Sequence, residues 1–529
     1  MAAYKKTIIA SIITAAAMVE FFLYRVGNAQ LNMTLFFATI LGAFFLVVPR
    51  KSSEGSKKWR VFEIVMLVCI VGVTLSYTLF DNSGLQVLNF IALIFMMAVL
   101  FLSRIADGKF SIERPGFLPE VFVGMVSRPF VNLLGSFFLA REEKKSRRIL
   151  KTSEESGENA VQEPSGLSKN VLVHVFQLIA GLIIGVPLIA ILVALLSGSD
   201  VVFGTWASTL ITNMYFSVEL GDIFLKCFMF VMVWPFVDSV IVSYFKKRFL
   251  TNKLQRDADV PDRPFYLPAV TVGTILMMVN VVYIVFAIAQ AGYFFGGFSG
   301  VLPSNITYAE YARSGFYELF AVSVINVIMV MLTVTYTRRE GKSGVFIRSL
   351  GLSLIALSAV QVVSALSRMY LYVDAYGLSE DRYLSSAFML LIAFVFLLLT
   401  IREFLPKFQF FKSVVLAGAV ALLLMNFSVP NARVAEYNID RYLSGESSEL
   451  DVEYLHVNSA DSLLVLNESK KELEDIAALV EDLNSDENSN SRRYLTRDMM
   501  EEKEFYEMQL EDDWLTFNVS RVRVILQDD

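Results

Sequence analysis

Ionisable side chains inside apolar segments are the residues of this chain best suited to chemistry. Glu20 lies late in the first apolar segment, and Lys226 and Asp238 share a later one. A charge in hydrocarbon is costly, so such residues usually pair with one another or line an aqueous path. The pattern favours structural roles, with Lys226 extending to the membrane surface and Asp238 reaching Lys246 or water. A proton relay or transport path is the alternative.

Charged residues also cluster among aromatic residues near the ends of two later apolar segments, within Thr307–Leu319 and Ser364–Tyr383. Tyr and Phe are typical of the membrane–water boundary, but that preference does not explain the charges. We predict salt bridges from the first segment to the second, joining two helical hairpins, with a shallow ligand pocket as the alternative. The candidate residues of this outer polar cluster are Glu310, Arg313, Glu318, Arg368 and Asp374.

The sequence lacks the motifs of common catalytic and cofactor sites. Its two histidines, His174 and His456, cannot form an HExxH zinc motif. The GKS at Gly341–Ser343 lacks the first glycine of a phosphate-binding loop, since Tyr336 occupies that position. The two cysteines form no CxxC pair. We therefore predict no enzyme, no metal and no cofactor.

Long apolar runs are the elements that must position these side chains. Of the 529 residues, 55% are hydrophobic and 19% are charged. Because only a helix satisfies its own backbone in hydrocarbon, a run of about 20 apolar residues indicates one membrane span. We predict an all-α integral membrane protein with about eleven spans: Thr7–Tyr24, Leu31–Val48, Val61–Phe80, Val87–Ser103, Val171–Leu196, Asp222–Phe245, Leu267–Gln290, Leu319–Tyr336, Val345–Tyr370, Tyr383–Ile401 and Phe408–Val429.

Basic residues fall mainly in alternate loops, which sets the expected orientation. With a cytoplasmic N-terminus, 31 Lys and Arg lie in or beside the cytoplasmic loops, and the opposite short loops hold little beyond Arg25, Arg313 and Arg382. Positive charge favours the cytoplasmic side, so an odd number of spans places the C-terminus outside. Charged and proline residues interrupt Phe117–Ala140, so we expect one or two helices lying in the cytoplasmic interface there, with a twelfth span as the alternative.

Charge separates a basic membrane region from an acidic tail. The tail, residues 430–529, has a net charge of −15, whereas the rest of the chain has +9. The membrane region divides further where polar sequence interrupts the apolar runs. We predict a four-helix bundle, a cytoplasmic linker and a seven-helix membrane domain, over residues 1–103, 104–170 and 171–429.

The tail is predicted to be a separable, mainly helical extracytoplasmic module. Its segment Ala435–Leu443, AEYNIDRYL, has helical spacing directly after the last span, so we expect it to dock on the membrane domain. The final Leu515–Leu526 alternates apolar and polar residues and fits either a strand or a short helix.

Several motifs stand out within Val171–Leu455. They are TYAEYARSGFYEL, SRMYLYVDAYGLSEDR, and YNIDRYL followed by DVEYL. Together they resemble an uncharacterised bacterial membrane family, domain-of-unknown-function family 4173, which is related to family 4153. The chain after His456 carries none of these motifs. The resemblance implies a bacterial cytoplasmic-membrane protein with an extracytoplasmic tail, and it implies no reaction.

Two functions fit this organisation. The first is a sensor or regulatory subunit of the cell envelope, with a protein partner at the cytoplasmic basic loops or at the tail. The second is a secondary transporter for a small solute, favoured by polar residues inside spans, such as Asn280, Asn326 and Gln361. No internal repeat is visible in the sequence, which weakens the second. The expected environment is the lipid bilayer of the cytoplasmic membrane, and no nucleic-acid partner is expected.

Reporter fusions test the predicted topology. Alkaline phosphatase fused after Asp529 is expected to be active and green fluorescent protein there dark, because an odd number of spans exports the tail. Fusions after Gly108, in the basic linker, serve as the control and should give the opposite pair of signals. A fluorescent fusion at Asp529 without phosphatase activity would contradict the eleven-span arrangement.

Overall fold

The structure is a computed structural model, and its described part is almost entirely helical. Membrane-type helices dominate because their apolar side chains face lipid or one another, while each helix satisfies its own backbone hydrogen bonds. The described residues are 3–23, 29–47, 51–52, 55–56, 59–105, 225–242 except 232, 267–298, 316–337, 341–447, 450–452, 454–455, 459–470, 473 and 499–526.

Four helices from the start of the chain pack around one apolar core. Helix α1 leads into a six-residue π-helix, Met18–Leu23. A hairpin of two short strands, with two residues each, lies between α2 and α3. A 3-10 turn at Ser83–Leu85 separates α3 from α4. The helices are α1 (Ala3–Ala17), α2 (Leu31–Val47), α3 (Val61–Leu79) and α4 (Gln86–Ile105), and the hairpin strands are β1 (Lys51–Ser52) and β2 (Gly55–Ser56).

Six further described helices complete the membrane region. Helix α8 has 36 residues and is about 54 Å long at 1.5 Å per residue, so it extends well beyond a hydrocarbon layer of about 30 Å. The six are α5 (Leu225–Val242), α6 (Ala269–Phe298), α7 (Phe316–Tyr336), α8 (Gly341–Tyr376), α9 (Glu380–Phe404) and α10 (Phe410–Phe427).

Ten of the eleven predicted spans correspond to helices in the described residues. Nine of them are long and apolar enough to cross a membrane, when α1 is counted together with the π-helix that follows it, and the tenth, α2, has 17 residues. The predicted run Val171–Leu196 and the segment Phe117–Ala140 lie outside the described residues. A polytopic helical membrane protein is therefore confirmed, whereas eleven spans and a cytoplasmic N-terminus stay predictions.

Helix α10 joins the two halves of the membrane region. Its residues Ala419 and Leu422 are buried in the core formed by α1 to α4. Phe410, at its other end, belongs to a second core that α6, α7, α8 and α9 share. The packing therefore crosses the predicted boundaries of residues 1–103 and 171–429, because the last membrane helix returns to the first bundle.

The described tail is helical and has a small core of its own. Buried Ile439, Leu463 and Val524 come from three different tail helices and share this core. The ambiguous final segment forms a 3-10 turn, Trp514–Thr516, and then a helix. The tail helices are α11 (Pro430–Leu443), α12 (Ala460–Glu468), α13 (Met499–Asp512) and α14 (Val519–Leu526).

Two buried glutamates close the end of the bundle opposite the tail. Glu63, at the start of α3, is fully buried and pairs with Arg104 of α4 at 2.9 Å. The guanidinium of Arg104 also lies 4.3 Å from the centroid of the Trp59 ring. Glu403 of α9 is buried as well and lies 3.9 Å from Arg348 of α8. Such pairs hold neighbouring helix ends together, since breaking one leaves a buried charge uncompensated.

Candidate functional site

The end of α3 is capped by residues from the other end of the chain. The last four carbonyls of a helix have no partner within the helix. The Asn518 amide donates to the Tyr77 and Phe80 carbonyls at 3.1 and 3.0 Å, and the Ser520 hydroxyl lies 3.1 Å from the Leu79 carbonyl. The tail therefore supplies hydrogen bonds to three backbone carbonyls at this helix end.

Two buried aspartates form the centre of the same contact. The Asp81 backbone N–H donates to Asp461 Oδ2 at 2.7 Å, and the Ala460 N–H donates to Asp81 Oδ2 at 3.1 Å. Asp81 and Asp461 are each about 95% buried, at 5% exposure. The Arg521 guanidinium lies 3.3 Å from Asp81 Oδ1 and offsets part of the negative charge. We call Asp81, Asp461, Asn518, Ser520 and Arg521 the tail–loop cluster.

Burial changes the acidity of Asp461. Desolvation is the largest cause and raises the pKa of this carboxyl from 3.8 to about 6, because a buried charge is disfavoured. The hydrogen bonds from Ser520 and from the Asp81 N–H lower the pKa, while the nearby Asp81 charge raises it. Asp461 lies in the tail, so its titration takes place outside the membrane helices.

Arg521 is held from several sides. Its guanidinium donates to Gln509 Oε1 of α13 at 2.8 Å and lies 5.1 Å from the centroid of the Tyr506 ring. With the Gln30 amide oriented to satisfy both of its ends, Gln30 accepts from Arg521 and donates to the Thr516 carbonyl. Gln30 directly precedes α2, so the tail also contacts the start of that helix.

Asn426, near the end of α10, connects this end of the bundle to two other membrane helices. Its amide exchanges two hydrogen bonds with the Asn89 amide of α4, at 2.7 and 2.8 Å. Its Oδ1 also accepts from the Ser76 hydroxyl of α3 at 2.9 Å. The Asn82 amide donates to the Asn426 carbonyl at 3.0 Å. Helices α3, α4 and α10 are therefore joined by polar groups directly beneath the tail–loop cluster.

A strained turn redirects the chain from α10 into the tail. Val429 has a φ of +48°, a backbone conformation that β-branched residues rarely adopt. Such strain persists when neighbouring bonds fix it. Here the Asn431 amide donates to the Asp81 carbonyl at 3.4 Å, directly after the turn.

The segment Ala435–Leu443 docks on the membrane region, as predicted. Asn438 bonds to both the N–H and the carbonyl of Leu378, at 2.8 and 2.7 Å. The Arg441 guanidinium donates to the Val373 and Asp374 carbonyls, at 3.1 and 2.7 Å. These partners lie at the projecting end of α8, which therefore serves as the support for α11.

The predicted outer polar cluster is described only in part. Glu310 and Arg313 lie outside the described residues. Glu318 is exposed at the start of α7, Arg368 is half-buried on α8, and Asp374 is exposed two residues before the end of α8. The salt bridges predicted between these segments therefore stay a prediction.

Two of the three predicted intramembrane residues meet. Lys226 Nζ of α5 lies 2.9 Å from Glu20 Oε2, and both side chains are about one third exposed. Glu20 belongs to the π-helix after α1, a geometry that occurs often at functional sites. Asp238 is fully buried on α5, and the proposed reach to Lys246 cannot be followed because Lys246 lies outside the described residues.

The other polar residues predicted inside spans connect helices. The Tyr283 hydroxyl donates to Asn326, whose amide donates to the Ser358 hydroxyl, both at 2.8 Å. These bonds join α6, α7 and α8. An apolar cavity of about 290 Å³ lies elsewhere, between α1, α2, α4 and α5, and Thr14 is the polar residue on its lining. Within the described part of the chain, no group of three or more His, Cys, Asp or Glu side chains is arranged to hold a metal ion.

The long apolar helices and their interhelical polar contacts define a polytopic helical membrane protein. The chain belongs to an uncharacterised family, described as Domain of unknown function (DUF4153), whose model matches residues 67–469. The sequence motifs resemble family 4173, which is related to this family. The resemblance is therefore confirmed for the related family 4153 and not for family 4173 itself. Comparisons with curated proteins and with solved structures give no match.

The tail–loop cluster could not be found from the sequence motifs. Asp81 and Asp461 are 380 positions apart, and Asn426 resembles any single polar residue in an apolar run. The available signal was the combination of two polar residues, Asp81 and Asn82, in a very short connection between two spans. Short connections with side chains that can cap a helix are places where another segment can bond.

A double-mutant cycle measures the contact beneath the cluster. We expect Asn89→Ala and Asn426→Ala to be coupled by about 1–3 kcal/mol, because each single change leaves a buried amide without its partner. The measurement is thermal unfolding of the full chain in detergent. A control cycle pairs Asn426→Ala with Asn280→Ala, which share no hydrogen-bond partner, and should be additive within about 0.5 kcal/mol. Equal coupling in both cycles would contradict the assigned contact.

Proposed function

We propose that the protein is a sensor or regulatory subunit of the bacterial cell envelope, in which docking of the tail sets the arrangement of α3 and α4. The observation that carries the proposal is the capping of α3 by Asn518 and Ser520. A tail that completes the hydrogen bonding of a membrane helix stabilises one arrangement of that helix. Release of the tail would leave several backbone carbonyls without partners, which favours a second arrangement.

The polar contacts give this change a route across the membrane. Asn426 connects α10 to Ser76 of α3 and to Asn89 of α4, next to the docked tail. At the far end, the buried Glu63–Arg104 pair ties α3 to α4. A shift of α3 at the tail end would therefore also move the opposite ends of α3 and α4, since packed helices move as rigid units.

In this proposal the far end faces the cytoplasm, as the basic loops indicate. The basic segments on either side of α3 and α4 then lie where a cytoplasmic protein partner can bind. The acidic tail lies outside the cytoplasmic membrane, where a net charge of −15 keeps most of it away from anionic lipid headgroups. The extracytoplasmic environment thus acts on the tail, and the partner responds to α3 and α4.

A secondary transporter for a small solute is the second candidate, and the Glu20–Lys226 pair favours it. An ion pair between two apolar helices, with both side chains partly exposed, is the kind of feature that lines a substrate or ion path. Its position in a π-helix adds to this argument. The candidate is weaker because the cavity between α1, α2, α4 and α5 has an almost wholly apolar lining, which offers few groups to a polar solute.

Release of the tail tests the sensor proposal. The double variant Asn518→Ala/Ser520→Ala is expected to weaken tail docking by about 2–4 kcal/mol, because it leaves helix carbonyls without donors. A fluorophore pair at Ser83→Cys and Leu526→Cys, in a Cys227→Ser background, reports docking in nanodiscs. A spin label at Arg60→Cys, before α3 at the far end, is expected to change its mobility when the tail is released.

The control is Ser349→Ala, which removes an exposed hydroxyl bonded only within α8. It should alter neither signal. An unchanged label at Arg60 in a variant whose tail has left the bundle would contradict the coupling between tail and far end, and with it the sensor proposal.

A further inference from the structure

We propose that Asp461 binds a proton that holds the tail on the connection between α3 and α4, so that extracytoplasmic acidity is a signal for this protein. A signalling role for this proton depends on the function proposed above, whereas the proton site is inferred from the geometry alone. The ligand is one proton, and its site consists of the Asp461 carboxyl, the Ser520 hydroxyl and the Leu79 carbonyl.

The hydroxyl of Ser520 has too few hydrogens for an ionised Asp461. Its oxygen lies within hydrogen-bonding distance of Asp461 Oδ1 and 3.1 Å from the Leu79 carbonyl. A serine hydroxyl has one hydrogen, and both of these neighbours are acceptors while Asp461 is ionised. One of the two is then left without a donor in a buried place, which is unfavourable.

A proton on Asp461 Oδ1 satisfies every group. The protonated carboxyl donates to the Ser520 oxygen, and the Ser520 hydrogen is then free to bond to the Leu79 carbonyl. The other carboxyl oxygen, Oδ2, keeps the bond that it accepts from the Asp81 N–H at 2.7 Å. The chain of bonds therefore runs in one direction from Asp461 through Ser520 to α3, and its first hydrogen comes from solution.

Charges around Asp461 also favour one proton there. The α3–α4 connection contributes Asp81, whose Oδ1 lies 3.3 Å from the guanidinium of Arg521 on α14. Arg523, also on α14, lowers the pKa of Asp461, but by less than burial and the Asp81 charge raise it. Helix α11 contributes the neutral Asn431. The charged pair of this helix, Arg433 and Glu436, is exposed. Two carboxylates in one buried site do not ionise together readily, and Arg521 pairs with Asp81, so Asp461 takes the proton.

The direction of the pH effect follows from the pKa of Asp461. In the docked tail this pKa is about 6, against 3.8 for the free side chain. Below pH 3.8 the carboxyl is protonated whether docked or free, and the stabilisation is fully present. As pH rises toward 6 docking must take up a proton, so the tail is released more easily. The docking constant should fall on the order of 100-fold across this window, since two pKa units correspond to that factor.

Urea-induced release of the tail measures this constant directly. The full chain in nanodiscs carries the fluorophore pair at Ser83→Cys and Leu526→Cys, with Cys227→Ser. Between pH 4 and pH 7.5, the docking constant is expected to fall on the order of 100-fold. Asp461→Asn is expected to remove the pH dependence and keep docking near its low-pH strength, because its amide donates to Ser520 and accepts from the Asp81 N–H.

The matched control is Glu436→Gln, which neutralises an exposed tail carboxyl outside the cluster and should keep the full pH dependence. A docking constant that is unchanged over this pH range, or one whose pH dependence persists in Asp461→Asn, overturns the proton site. The label at Arg60→Cys separates the two proposals. A tail that follows pH while this label does not respond supports the proton site and contradicts the sensor function.

Discussion

The structure depends on one constraint, which is that the end of a membrane helix must find partners for its last carbonyls. Helix α3 ends at Leu79, and the next residue, Phe80, supplies one bond, from its N–H to the Ser76 carbonyl. Residues Asn518 and Ser520, more than 400 positions later in the chain, bond to the Tyr77, Leu79 and Phe80 carbonyls instead. The tail is therefore part of the membrane bundle energetically, because removing it leaves buried polar groups without partners.

Polar contacts around this capped end explain why the tail and the bundle form one unit. Asn426 joins α10 to α3 and α4, and Asn431 bonds to the Asp81 carbonyl one strained turn later. The tail core then continues through α11 to the projecting end of α8. These contacts join the tail to the bundle, and the separable module stays a prediction. The tail's charge of −15 suggested separation, but the docked face is held by hydrogen bonds from Asn518, Ser520 and Arg441 and by the Asp81–Arg521 ion pair.

The apolar runs predicted most of the fold, because the requirement that makes each run helical lies within the run itself. A run such as Val61–Phe80 must be helical in hydrocarbon, and α3 ends within one residue of it. Local periodicity also predicted the docking helix Ala435–Leu443. The contacts between distant residues could not be predicted, since nothing in the sequence pairs Asp81 with Asp461 or Glu20 with Lys226. The segment Leu515–Leu526 fits either a helix or a strand, because the eight residues that form α14 are too few to separate a helical period from a strand period.

Amide hydrogen exchange of the intact chain in nanodiscs tests the central claim most directly. The Asp81 and Ala460 N–H groups both donate to buried carboxyl oxygens across the contact. Peptides covering these two amides are expected to be protected in the full chain, and both are expected to lose protection when the chain is cut after Asp513. Rapid exchange of the Asp81 amide in the intact protein would contradict the account, because it would mean that the tail does not bind the end of α3.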